Sequence, residues 1–165
     1  MRKDVKVKKP PIRVKRDFKF EIREVFPITD PQAFKDLTLL DDKLFDREGE
    51  APLFLKGWWW IAYVGDVQVG FCGLAQSKQR KTLGYMTRSG VLKPYRGCGL
   101  QRLFIQTRIQ RAKDLGFKGM TVATYNNPYS GNNLIDAGFR LYEPDRKWLC
   151  HGAAYWKKDL ENGST

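Results

Sequence analysis

The sequence predicts a mixed α/β protein built on one central, mostly antiparallel sheet flanked by helices. Three observations carry this. Several short segments are rich in β-branched and aromatic residues or alternate apolar with charged ones, as strands do. Other segments repeat apolar residues at helical spacing and are bounded by residues that start or stop helices. The two kinds follow the order β-α-β-β-β-α-β-α-β-β, so early strands can pair antiparallel while later ones need βα crossovers.

Each element has its own signal. Phe20 to Val25 alternates apolar and charged residues and reads as the first strand. Asp30-Pro31 starts a helix, with Asp as N-cap and Pro in the first helical position. Phe34, Leu37, Leu40, Leu44 and Phe45 then recur at helical spacing, and residues 46–57 form a charged connection containing Gly and Pro. Trp58 to Val64 and Val67 to Ala75 are strands joined by the two-residue turn Gly65-Asp66. Trp58, Trp59 and Trp60 are expected as core or groove wall, on both faces of their strand. A basic loop, QSKQRKT at 76–82, precedes a strand from Leu83 to Leu92. The helix from Leu100 to Leu115 carries apolar residues over a wide arc, which predicts packing on more than one side; Gly116 stops it. Met120 to Tyr125 is a strand, residues 128–137 are helical and Gly138 ends that helix. Phe139 to Tyr142 and His151 to Trp156 read as the final strands, joined across Pro144.

Composition narrows the function. A chain of 165 residues fits one domain with a sizeable core. No apolar run approaches a membrane span, and the N-terminus is charged rather than signal-like, so a cytoplasmic protein without membrane contact is expected. Cys72, Cys98 and Cys150 lie far apart with no C-x-x-C, and His151 is the single histidine, so no metal site is expected. The net charge is +12, of which residues 1–16 hold +7, leaving +5 for the other 149 residues. Those first residues read as a basic arm preceding one domain over 17–165. The arm is either a solvated tail or lysine-rich edge strand, or a contact for nucleic acid or another acidic partner.

The stretch VLKPYRGCGLQRLF at 91–104 is the most informative. The third glycine of a G-x-G-x-x-G fingerprint is replaced by Arg102, and no G-K-[ST] follows any glycine run. Cys98 has no cysteine partner nearby. What remains is a strand, a Gly-rich turn and a helix start. Such a turn is either a plain βα connection or an anion cradle, in which backbone N–H groups and the helix dipole converge on a phosphate or pyrophosphate.

The chain resembles the GNAT family of N-acetyltransferases. Arg96-Gly97-Cys98-Gly99-Leu100-Gln101 matches the family's [QR]-x-x-G-x-[GA] loop except at Gln101, which replaces a small residue. Asn127, Ser130, Gly138 and Phe139 match a second family spacing, and Gly65-Asp66 followed by Gly70-Phe71 resembles the family's hairpin. The resemblance covers roughly residues 18–158. It implies a GNAT-like sheet whose central strands splay apart to admit acetyl-CoA as acyl donor, with no metal. It also implies that amides from Gly97 through Cys98, Gly99, Leu100 and Gln101 to Arg102 bind the pyrophosphate. Backbone groups near Val91 and Lys93 would pair with the pantetheine and polarise the thioester carbonyl; Lys93, Arg96 and Arg102 are candidate phosphate cations. Asn127 would contact the pantetheine, or act as a helix cap.

The implied activity is direct acyl transfer from acyl-CoA to an amine whose identity the sequence leaves open. The family's usual acid, a Tyr seven residues after the Asn, is Leu134 here. Ser130, one helical turn earlier on the same face, is the candidate substitute, acting through water; Tyr125 and Tyr129 are less well placed. The strand LGYMTRSGV holds no carboxylate to act as base, which leaves Tyr85, a water wire or His151. Arg88 on that strand is expected to repel an ammonium and attract an anionic acceptor. A second reading makes the chain a nucleic-acid-associated GNAT-like protein, on the strength of the basic arm, Lys78, Arg80, Lys81 and Arg88. The oligomeric state is open, a dimer included.

Overall fold

The computed structural model describes residues 16–45 and 54–160. The basic arm, apart from Arg16, lies outside the described residues. The elements run β1 (Glu21–Val25), α1 (Pro31–Phe45), β2 (Trp58–Val64), β3 (Val67–Gln76), β4 (Leu83–Val91), a 3-10 turn (Lys93–Tyr95), α2 (Leu100–Asp114), β5 (Gly119–Thr124), α3 (Pro128–Asp136), β6 (Arg140–Leu141) and β7 (Ala154–Asp159). The described strands form one sheet in the order β1-β2-β3-β4-β5-β7-β6. Its single parallel pair is β4–β5; the other neighbours are antiparallel. The mixed α/β class and the mostly antiparallel sheet are as predicted.

Local signals set the boundaries of the helices. The Asp30 carboxylate accepts from Gln32 N–H at 2.9 Å at the start of α1. Gly116 (φ +72) closes α2, and Phe117 N–H bonds back to Ala112 O at 3.0 Å. Gly138 (φ +83) and the Phe139 N–H to Leu134 O bond repeat this closure after α3.

Two cores lie on opposite faces of the sheet. Trp59, Ile61 and Phe71 pack with Leu37 and Leu40 of α1 on one face. Trp60, Cys72 and Met86 pack with Leu100, Phe104 and Ile109 of α2 and Leu134 of α3 on the other. The three tryptophans therefore serve core on alternate faces, and none lines the cleft described below.

The helix α2 buries Leu100, Phe104, Ile105, Arg108, Ile109 and Ala112 over about half its circumference, against the sheet and α3, while Leu103 and Leu115 are exposed. One expectation needs correction. The last strand starts at Ala154 rather than His151 and runs on to Asp159. Cys150 to Ala153 form a turn closed by Ala153 N–H to Cys150 O, with Gly152 at φ +87. Pairing with β5 from Thr124↔Ala154 to Gly119↔Asp159 then carries the charged residues Lys157 to Asp159 into the sheet. The strand before it is cut to Arg140–Leu141.

Candidate active site

The sheet opens where its one parallel pair parts. β4 and β5 pair at Leu83↔Gly119, Gly84↔Met120 and Tyr85↔Thr121 and no further. Met86 to Val91 and Val122 to Thr124 continue as strands without pairing to each other. A β-bulge adds to the divergence: Gly73 of β3 stands opposite two residues of β4, Thr87 and Arg88. The splayed strands expected from the resemblance are thus present. The cleft between them measures about 540 Å³. Its lining joins both faces of the sheet, from Phe45 on the α1 side to Ile105, Ser130 and Leu134 on the α2–α3 side.

The glycine loop sits where α2 begins. Gly97 (φ +73) and Gly99 (φ +90) both adopt the left-handed conformation that glycine reaches without strain. The N–H groups from Gly97 to Gln101 donate to no acceptor among the described residues, whereas Arg102 and Leu103 N–H both bond to Gly99 O. A Cβ placed on Gly99 would meet nothing within 4 Å, so the space in front of the turn is open. Five amides without an acceptor among the described residues thus stand at the positive end of a 15-residue helix, an arrangement suited to an anion.

The loop's side chains have structural work. Arg96 Nε donates to Val91 O at 2.8 Å, so that carbonyl is engaged by the loop itself. The buried Leu100 side chain anchors the helix start, leaving only its amide for a ligand. Cys98 Sγ approaches Arg96 O at 3.5 Å. Gln101, the departure from the family pattern, accepts from Ser89 Oγ at 3.1 Å and so ties α2 to β4 across the cleft. Arg102 is held by Asp136 at 2.8 Å and by Asn133. Lys93 is exposed.

Of the residues singled out from sequence, Tyr85, Gln101, Asn127 and Ser130 meet along the cleft. Val91 at the end of β4, Lys93 in the 3-10 turn, Arg96, Gly97, Cys98 and Gly99 in the loop, and Leu100 and Arg102 in the first turn of α2 are not in its lining. Asn127 caps α3, its side-chain oxygen accepting from Ser130 N–H at 3.0 Å. Asn127, Ser130 and Leu134 share one cleft-facing side of α3, as the helical spacing requires, and Leu134 is buried there. His151 lies in the exposed turn before β7, not on a strand, and does not line the cleft.

Arg88 requires a second correction. Its Nη1 contacts both carboxylate oxygens of Asp41 on α1, at 3.0 and 3.1 Å, and its guanidinium lies 4.6 Å from the centre of the Phe45 ring. The charge that was expected to repel an ammonium is balanced by a carboxylate that the strand alone did not contain. This also removes Arg88 from the case for nucleic-acid contact.

Burial shifts three groups in and under the cleft. It pushes the Tyr85 hydroxyl above its ordinary value, and the adjacent Trp148 indole only partly offsets this. It pulls Arg108 down. It pushes the Cys72 thiol, beneath Arg108, from 9.0 up to about 12. Cys72 and Tyr85 both hold their protons more tightly folded than unfolded. The stability this confers is complete below pH 9 and is lost as the pH rises toward 12. The urea midpoint is expected to fall above pH 9, and less steeply in Cys72→Ala. Parallel curves for the two proteins would clear the thiol of this role.

Sequence reasoning missed Asp41, Phe45, Arg108 and the Trp148–Leu149 segment. A signal existed for two of them. Asp41 interrupts the buried stripe of α1 that includes Leu37 and Leu40, and Arg108 interrupts that of α2. A charged residue within an apolar stripe has to be satisfied by something. No helix among the described residues is long and apolar enough to cross a membrane, and no described group of three or more His, Cys, Asp or Glu is poised for a metal.

The fold is thus a mixed α/β sheet whose parallel pair parts beside a row of amides that have no acceptor among the described residues. The profile of the acetyltransferase (GNAT) family matches residues 18–139, and the chain belongs to that family. A search of curated proteins found no match. Among solved structures, the IAA acetyltransferase from Bacillus cereus is similar with a TM-score of 0.67 and 16% identity, covering 86% of this chain and all of that one. A Bacillus subtilis acetyltransferase in complex with CoA has a TM-score of 0.65 and 18% identity, covering 88% of this chain and all of that one. The Salmonella typhimurium protein yncA with its cofactor acetyl-CoA has a TM-score of 0.64 and 16% identity, covering 88% and 96% of the two chains. At these identities the likeness speaks to the fold.

Proposed function

We propose that this protein transfers an acyl group, acetyl in the simplest case, from acyl-CoA directly to an amine. The observation that carries this reading is the row of unpaired amides from Gly97 to Gln101, next to a cleft that runs through the sheet. Acyl-CoA supplies the thioester and the thiolate leaving group. The amides hold the pyrophosphate, with exposed Lys93 as a nearby cation. The edge of β4 from Met86 to Val91 that does not pair with β5 offers strand-like hydrogen bonds to the pantetheine, apart from the Thr87 and Val91 carbonyls that Arg108 and Arg96 engage. The donor enters from the α2–α3 side and the amine from the α1 side, past Phe45 and the balanced Arg88–Asp41 pair.

Tyr85 and Ser130, two of the hydroxyl groups that line the cleft, serve the proton steps in this reading. Burial keeps Tyr85 protonated, so it serves as hydrogen-bond donor or acid rather than base. Ser130 relays through water, and water takes the amine proton.

Millimolar CoA is expected to raise the melting temperature of the wild-type protein, and mass spectrometry of an amine panel incubated with acetyl-CoA to show an acetyl increment. Tyr85→Phe is expected to lower kcat about 10²-fold with little change in the KM for acetyl-CoA. An unchanged kcat would remove Tyr85 from the chemistry; no CoA effect at all would overturn the reading.

A further inference from the structure

Arg108 is a buried cation that has no carboxylate partner among the described residues. It lies in the middle of α2, is 3% exposed and lines the cleft. Its Nε donates to Phe104 O in its own helix at 3.1 Å, and its Nη1 reaches Thr87 O on β4 at 3.4 Å. Two neutral carbonyls thus take two of the five donors a guanidinium carries. Among the described residues Nη2 has no hydrogen-bond partner, and no carboxylate comes within ion-pair range of the group. Cys72 beside it is held as a neutral thiol and brings no counter-charge. The other arginines around α2 differ: Arg88 faces Asp41, Arg102 faces Asp136 and Arg111 faces Glu24.

Its position is specific. Gln101, Ile105 and Arg108 are spaced as one face of α2, and all three line the cleft. With a rise of 1.5 Å per residue, Arg108 stands about 12 Å along the helix from the amide cradle. It touches Thr87 at the β4 bulge, where the strand has already left β5. On the acyl-CoA reading, this is where the acyl end of a donor held at the loop meets an acceptor arriving from the α1 side. A lone guanidinium among Phe104, Ile105 and Ile109 is costly, and a ligand that brings a carboxylate offsets that cost.

We propose that Arg108 binds a carboxylate on the substrate, borne either by the acyl group, as in a dicarboxylic acyl thioester, or by an amino-acid acceptor. The inference rests on the acyl-CoA reading above. Arg108 acts by recognition, setting which substrate is accepted.

Two substrate pairs isolate the carboxylate. Succinyl-CoA and butyryl-CoA have acyl chains of equal length and differ in that group alone; calorimetry measures their affinities. 4-Aminobutyrate and butylamine form the matching acceptor pair, compared by kcat/KM with acetyl-CoA as donor. One pair is expected to favour the carboxylate by tenfold or more, with the ratio falling to about one in Arg108→Met and partly restored in Arg108→Lys. The responding pair tells which substrate bears the group. Arg108→Met is expected to melt no lower than wild type, since an apolar chain replaces a lone buried charge. If it fails to fold, Arg108→Gln keeps a donor for Thr87 O without the charge and carries the same comparison. Binding of acetyl-CoA with no Arg108-dependent preference in either pair overturns the inference and leaves the acyl-CoA reading standing. Failure of every thioester to bind overturns both. An equal loss for both members of each pair would give Arg108 a general supporting role and also overturn the inference.

Discussion

Gly99→Val is expected to abolish the rise in melting temperature that CoA produces in the wild-type protein. Gly99 has φ +90 and ψ −4 at the N-cap of α2. A β-branched residue is a steric outlier there, and holding the left-handed region costs an L-residue roughly 1–2 kcal/mol. The backbone relieves this by rotating, which turns the amides following Gly97 away from their common focus. Crowding is not the cause, because a Cβ at this position meets nothing within 4 Å. Hydrogen bonds to a charged group are worth about 1.5–3 kcal/mol each, so losing two lowers CoA affinity roughly 10²–10⁴-fold. Gly99→Asn is expected to retain more binding, since Asn tolerates the left-handed conformation. Thermal shift and calorimetry on the three proteins check this. A Gly99→Val protein that binds CoA as well as wild type would refute the cradle.

Gly73→Ala is expected to destabilise the fold by about 3 kcal/mol and lower the melting temperature by roughly 6–12 °C. An added Cβ would come within 2.4 Å of the Trp59 ring and 2.6 Å of Thr87 Cγ2. Trp59 has no room to yield. It is 1% exposed, its Nε1 donates to Lys56 O at 2.8 Å, and its ring is packed by Phe54 and Phe71. The strain therefore passes to Thr87, which sits in the β4 bulge and accepts from Arg108. Any acyl-CoA affinity is expected to fall with stability, because the bulge shapes the cleft. An unchanged melting temperature would mean that the two strands are not locked as described.

The two substitutions differ in how far their reasons could be read from sequence. The cradle is local. Two glycines, a helix start and a run of amides lie within a few residues, and the geometry follows from backbone sterics. The same holds for the Asp30 cap, the Gly65 turn at φ +58 and the closures at Gly116 and Gly138. The crowding at Gly73 involves Trp59 and Thr87, each fourteen residues away in the chain, and nothing in the pattern of either strand announces it.

The active-site charges show the same division more sharply. Read along β4, Arg88 is an unbalanced cation, because its carboxylate lies 47 residues earlier, on α1. Read along α2, Arg108 is one polar residue in an apolar helix; only the packing of α2 on β4 shows that its head is buried and lines the cleft. Arg88, paired with Asp41, therefore does not carry the expectation of an anionic acceptor.

The amino-acid sequence by itself determined the elements, their order, the caps and the glycine turn at the head of α2, because each depends on interactions spanning a few residues, where propensity and backbone sterics act directly. Only the tertiary structure decided where the parallel pair comes apart, which charges are neutralised, where β7 begins and that Arg108 lines the cleft. Those outcomes depend on side chains brought together from distant parts of the chain, and their free energies come from burial and pairing that exist only once the sheet and helices have packed.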